Sequence, residues 1–235
     1  MDWTRNTALE DTILNDMTDA MYDGDRHQPS VSGMIYCLTK TYYESELILP
    51  DTHGRRIPPR SRTTQLLFTT GLAFEKVLMG DKQVSEAGEY DGIQWHVDHF
   101  DFGELVEIKS TRARTNKDPN KPYTSDGWLK QILAYCKVKG VTEGNLVILH
   151  MFGSGSPPFP DLLAWHFTAS QQEIDNNWTW IQQRAITYQK AILEGKPPTP
   201  FQYNMDWECR DCTWKLACDA QTRGVTPTLG VDLVL

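Results

Sequence analysis

Residues 93–111 read IQWHVDHFDFGELVEIKST, and this stretch constrains the fold more than any other. Residues 93–100 and 105–111 are rich in β-branched and aromatic side chains, and FDFG between them supplies Asp and Gly for a bend. That pattern predicts two strands joined by a tight turn. Glu107 and Lys109 stand two apart on the second strand, so both leave one face, while Ile108 points the other way. With a four-residue loop between Phe100 and Leu105, Asp98 falls opposite Glu107. Two carboxylates and an ammonium then share one small volume. Carboxylates that close repel unless a divalent cation sits between them.

The rest of the chain predicts one mixed α/β domain around that hairpin. At 235 residues, with 40% hydrophobic residues and eight Trp, the chain can bury a sizeable core. Residues 7–22 have the pattern of an acidic amphipathic helix, and 23–32 that of a Gly/Asp/Pro/Ser linker. Thr63 or Thr64 is placed to cap a helix ending at Gly80, with Leu66, Leu67, Leu72, Phe74, Val77 and Leu78 as its apolar stripe. Residues 115–125 are a polar loop. A helix is expected over 127–140, strands over 146–152 and 162–167, and a long helix from Thr168 to Glu194 stopped by Gly195. Gln131 and Tyr135 are four apart and share a helix face. The longest apolar run is the five residues 132–136, far short of a membrane helix. Asp2, Glu10, Asp11, Asp16 and Asp19 argue against a secretory signal, so a cytoplasmic protein without membrane contact is expected.

In that compartment the five Cys are thiols or metal ligands rather than disulfides. Cys209, Cys212 and Cys218 follow C-x2-C-x5-C, and three thiolates so spaced can wrap a metal. A closed site needs a fourth ligand, which Cys37 or Cys136 could supply. A single C-x2-C knuckle lowers the case for a zinc ribbon without removing a zinc knuckle or free thiols. His96, His99, His150 and His166 fall on strands, where a satisfied core or edge role is expected.

The net charge of −8 counts against a general nucleic-acid binder. Two local clusters qualify that: Arg55, Arg56, Arg60 and Arg62, then Lys109, Arg112, Arg114, Lys117 and Lys121. A basic groove on an acidic body suits one strand of DNA, and solubility of the loops is the competing explanation.

Asp98, eight residues, then Glu107-x-Lys109 resembles the signature of the PD-(D/E)XK nuclease superfamily. The order of the other features resembles its iron–sulfur RecB-like branch. These are Gly71-x3-Glu75 on the preceding helix, Gln131-x3-Tyr135 on the following one, an early Cys37 after a Tyr, and the terminal Cys trio. That branch includes the CRISPR-associated adaptation exonuclease and the AddB nuclease domain. Two positions depart from it. Glu75 stands where His is usual, and Leu38-Thr39 where Pro-Arg often follows the first Cys.

The resemblance implies a restriction-endonuclease-like core, a mixed central sheet flanked by helices, over residues 32–218. The acidic segment 1–31 and the tail 219–235 fall outside it. It implies a [4Fe–4S] cluster on Cys37, Cys209, Cys212 and Cys218 that joins the N-terminal part to the C-terminus. Cys136 has no place in the pattern. It also implies Mg²⁺ or Mn²⁺ held by Glu75, Asp98, Glu107 and the Ile108 carbonyl. Asp98, Glu107, Lys109, Gln131 and Tyr135 would carry catalysis, with DNA guided by Arg112 and Arg114. The expected activity is metal-dependent exonucleolytic hydrolysis of single-stranded or end-bearing DNA, in CRISPR spacer acquisition or in recombination and repair, with an integrase or helicase as a possible protein partner. A structure-selective endonuclease and a non-enzymatic adaptor are the alternatives.

Overall fold

The computed structural model describes residues 28–46, 62–79, 86–101, 104–112, 121–151, 161–200, 205–210 and 212–225. The helix expected over 7–22, Arg55, Arg56, Arg60, Arg114, Lys117 and the tail past residue 225 lie outside them.

Two short helices, α1 (Val31–Ile35) and α2 (Leu38–Glu46), flank a bend at Tyr36 and Cys37. The Ser30 hydroxyl caps α1 by accepting from the Gly33 N–H at 3.2 Å. Helix α3 (Arg62–Met79) follows, then β1 (Glu86–Tyr90) and β2 (Ile93–Val97). Asp91 and Gly92 join these two strands with φ of 52° and 75°, the doubly positive turn that Asp-Gly favours in a two-residue hairpin. Next come β3 (His99–Asp101), β4 (Glu104–Thr111), α4 (Asp126–Lys139), β5 (Glu143–His150) and β6 (Asp161–Thr168). Helix α5 (Gln171–Glu194), a 3-10 turn (Asp206–Cys209) and α6 (Lys215–Thr222) close the described chain. No described helix is long and apolar enough to cross a membrane.

The central sheet is mixed, in the order β3-β4-β5-β6. β4 and β5 are parallel, and the outer pairs are antiparallel. A parallel neighbour requires a crossover, and α4 lies in it, packed on β4 and α5. The arrangement of helices around a mixed sheet is consistent with the restriction-endonuclease-like core expected. Leu105, Leu146 and Ile148 bury one face of the sheet with Ile132 and Tyr135 of α4, Val31, Met34 and Ile35 of α1, and Ile174, Ile181 and Tyr188 of α5. β4 and β5 approach without a side chain between them at Gly144, where a Cβ would stand 2.5 Å from the Leu105 carbonyl oxygen.

Three expectations are corrected. The strand expected over 93–100 is two. Val97 ends β2, which pairs with β1 in a separate two-stranded sheet, and the chain bends at Asp98 before β3 joins β4. Burial drives the split: Ile93 and Val97 are 1% and 0% exposed, and β2 packs against α1 and α4 rather than continuing along β4. Secondly, the β3–β4 connection is shorter than four residues, since Asp101 pairs with Glu104. The register is nonetheless the one expected. Thirdly, α5 starts after Ser170 instead of at Thr168. Thr168 still pairs with Glu143, and Ser170 with Glu173 forms a reciprocal capping box.

Candidate active site

β4 carries the site because its pairing stops early on one edge. The β3–β4 ladder ends at His99 and Val106, so the next rung would set Asp98 against Glu107. In place of a strand, the Asp98 side chain covers that edge: its Oδ2 accepts from the Ile108 N–H at 2.8 Å. The N–H and C=O of one residue in an extended strand leave by the same edge, so the Ile108 carbonyl is directed there too.

Glu107 lies on the other side of the alternation, level with Leu146 of β5, and is 0% exposed. One of its oxygens, Oε1, accepts from the Lys109 ammonium. The other, Oε2, is buried with no hydrogen-bond partner among the described residues. Burial pushes this carboxyl up to about 8, against the pull of Lys109 and with the help of the Asp98 and Glu75 charges. Lys109 is held above its ordinary value: burial pulls it down, and the charges of Glu107 and Asp98 more than compensate.

Glu75 reaches the same volume from α3. Gly71, one turn earlier, lets α3 close on β4, where a Cβ would come 3.2 Å from Ser110 Oγ. Glu75 is half-buried, and its carboxyl is raised by burial and by Asp98. Gln131 Nε2 donates to the Tyr135 hydroxyl at 2.8 Å, and burial and the Glu107 charge raise that phenol well above its ordinary value. The structure thus brings Glu75, Asp98, Glu107, Lys109, Gln131 and Tyr135 together. Arg112 is exposed just past the end of β4. Asp91, a second candidate carboxylate upstream of Glu107, belongs elsewhere: it accepts from Trp178 Nε1 at 2.9 Å and Gln182 Nε2 at 3.0 Å at the β1–β2 turn.

Oxygen donors that repel one another around an orphaned, buried carboxylate oxygen suit a hard divalent cation. Among the described residues no three His, Cys, Asp or Glu side chains are grouped as a metal cage.

The same holds for the cysteines, and the cluster expected to join the two ends of the chain is not formed by their placement. The union itself is made by other means. The Cys37 N–H donates to Glu208 Oε2 at 2.7 Å, and Tyr43 of α2 stacks on Trp214 with centroids 5.1 Å apart. Thr39 Oγ1 donates to the Thr199 carbonyl at 3.1 Å. Cys37 and Cys212 are near enough for the Cys212 charge to raise the Cys37 thiol, though burial does more. Cys136 is 1% exposed within the core, and burial pushes its thiol to about 11.

Sequence reasoning missed Tyr36, Arg184 and Glu208. Tyr36 faces the site: burial raises its phenol, the Lys109 charge lowers it, and Glu208 and Glu107 raise it. Its carbonyl accepts from Arg184 at 2.6 Å. The only signal in the sequence was the tyrosine's position before Cys37. Glu208 lies 171 residues from its partner, and Arg184 148 residues from its own, with no local pattern to mark either.

No family model and no curated protein matches the chain. Among solved structures, SSO0001 aligns with a TM-score of 0.52 and 16% identity over 94% of this chain and 98% of that one. An alkaline exonuclease (LHK-Exo) from Laribacter hongkongensis aligns at 0.42 and 12% over 77% and 95%. A phage-related exonuclease from Haemophilus somnus 129PT aligns at 0.42 and 10% over 76% and 100%. The two exonucleases align too loosely to bear on the chemistry. The likeness to SSO0001 is one of fold, and it runs through nearly the full length of both chains.

Proposed function

We propose that this protein is a metal-dependent deoxyribonuclease of the iron–sulfur RecB-like type, hydrolysing phosphodiester bonds exonucleolytically from single-stranded or end-bearing DNA. One observation carries the reading: Glu107 is fully buried beside Lys109 with one carboxylate oxygen unpartnered, while Asp98 and Glu75 face it. A structural glutamate would have both oxygens satisfied or would sit in water. Glu75, Asp98, Glu107 and the Ile108 carbonyl would hold Mg²⁺ or Mn²⁺. Such an ion lowers the pKa of a bound water and offsets charge on the attacked phosphate. Lys109 orients the attacking water and stabilises the developing negative charge. Gln131 and Tyr135 hold Lys109 and the DNA backbone. Arg112 and Arg114 guide the strand along the rim. An iron–sulfur cluster on Cys37, Cys209, Cys212 and Cys218 would be structural, and the soft thiol donors and the C-x2-C-x5-C spacing of three of them support it. CRISPR spacer acquisition or recombination and repair, beside an integrase or helicase, is the setting this reading favours.

The test is Mn²⁺-dependent degradation of end-labelled linear DNA, with closed circular DNA as the control that separates exonuclease from endonuclease. Asp98→Ala, Glu107→Ala and Lys109→Ala should each abolish cleavage with the fold intact. Glu75→Ala should retain activity at high Mn²⁺. Wild-type cleavage by Asp98→Ala would overturn the site.

A further inference from the structure

At the start of α4 an aromatic pair reaches the surface. Tyr123, 37% exposed, meets Trp128 with ring centroids 6.0 Å apart and planes at 80°. An edge-on pair uses a face of one ring only, so it leaves more aromatic face open than a stacked pair does. Trp128 is the anchored half: it packs against the core, and its N–H donates to the Ser125 hydroxyl that caps α4, at 3.3 Å. Two other large rings beside α4 are committed within the protein. Trp180 has Lys130 at 4.5 Å and Arg184 at 4.8 Å from its ring centre, and Trp178 gives its Nε1–H to Asp91.

The pair borders the candidate site. Trp128 and Gln131 are three apart, hence neighbours on the surface of α4, and Gln131 holds the Tyr135 hydroxyl inside the site. Helix α4 packs on β4, the strand that carries Glu107 and Lys109. The charge here also runs against that of the whole chain. Residues 112–121 hold Arg112, Arg114, Lys117 and Lys121 with Asp118 as their one acid, in a chain of net charge −8. Arg112, where the chain leaves β4, and Lys121, two residues before Tyr123, are both exposed. Cations beside open aromatic faces are the combination that binds a single nucleic-acid strand, the cations taking phosphates and the rings taking bases.

We propose that Tyr123 and Trp128 form a stacking subsite for an unpaired base of the DNA, and that this subsite makes the protein select single strands over duplex. The inference deepens the nuclease reading above and rests on it. A base can lie on an aromatic face only after it has left its own stack, and inside a duplex each base is held between its neighbours. Every base has a π-face, so the subsite is indifferent to sequence. It grips the strand by a base, where Arg112 and Arg114 grip it by phosphates. The two contributions separate by salt: a lost phosphate contact flattens the salt dependence of binding, and a lost stack does not.

The experiment measures binding in chelator, by fluorescence anisotropy, to three labelled ligands of equal length: oligothymidylate, the same strand with abasic residues throughout, and a blunt duplex. Wild-type protein should bind oligothymidylate most tightly. Tyr123→Ala should weaken that binding about 5- to 150-fold, the loss of one base–aromatic stack, at unchanged salt slope. Its affinity for the abasic strand and the duplex should stay near wild type, as should its thermal midpoint. Tyr123→Phe, which keeps the ring, should bind as wild type does. Trp128→Phe, which shrinks the anchoring ring without emptying its place, should show a smaller loss confined to oligothymidylate. Wild-type protein that binds none of the three or all equally, Tyr123→Ala that keeps full affinity for oligothymidylate, or a loss equal on all three ligands would each overturn the proposal. Failure of the nuclease reading looks different: the preference for base-bearing strands survives, and wild-type protein does not cleave end-labelled DNA with Mn²⁺.

Discussion

Glu107 shows how one residue can be costly to the fold and useful to the site. It occupies a position between Leu105 and the β5 core where the strand period asks for an apolar side chain. Its carboxyl, pushed up to about 8 by burial, stands well above the 4.5 it has when unfolded. Between those values the folded protein holds a proton that the unfolded chain has released. This contribution is therefore complete below about 4.5 and is lost as the pH rises through about 8. In chelator, the thermal midpoint should fall across that window, and Glu107→Gln should flatten the fall by removing the ionisable group. Calorimetry should also find Mn²⁺ binding stronger toward pH 8, with protons released, since the cation must displace one from Glu107. A metal affinity independent of pH in this window would place the cation elsewhere.

At the scale of elements, the site depends on β4 lying flush against β5. Gly144 makes this possible, because the Leu105 carbonyl oxygen would be 2.5 Å from any Cβ there. A backbone oxygen in a ladder cannot swing aside as a side chain can. Gly144→Ala should destabilise the protein by about 1–3 kcal/mol, read as a lower urea midpoint at unchanged slope. The strained rung is two residues from Glu107, so cleavage should fall with it. The stop of α5 was readable because Gly195 carries the local chemistry of a helix end, whereas its start, expected at Thr168, is set by the Ser170 capping box. The break at Asp98 was not readable, since β-branched and aromatic residues run through it on both sides and the bend is imposed by what β2 and β3 each pair with.

On the scale of the whole molecule, the described ends of the chain are stitched together by Glu208, by Tyr43 on Trp214 and by Thr39 on Thr199. Protein purified without oxygen should be brown if the cysteines hold an iron–sulfur cluster, since zinc absorbs no visible light. Cys37→Ala, Cys209→Ala, Cys212→Ala and Cys218→Ala should each lose iron and thermal stability, whereas Cys136→Ala should lose no iron. Stoichiometric zinc without iron would end the cluster proposal. DNA grip is also a property of the whole surface. On a chain of net charge −8, replacing Arg112 and Arg114 together should weaken single-stranded DNA binding evenly across sequences. The salt slope should flatten by at most about two units. Unchanged binding would send the DNA path elsewhere.

The sequence by itself determined the alternation that puts Glu107 and Lys109 on one face, the register that sets Asp98 beside them, and the spacing that aligns Gln131 with Tyr135. Each is a consequence of backbone period and turn length, which neighbouring residues encode. Only the tertiary structure decided that Glu107 is buried with an oxygen unpartnered, that Glu75 comes down onto Asp98, and that Glu208 takes the Cys37 amide from the far end of the chain. Those facts depend on which helix covers which strand and on contacts between residues as much as 171 positions apart. Contacts at that distance leave no trace in the local order of residues, because what selects them is the packing of the assembled core.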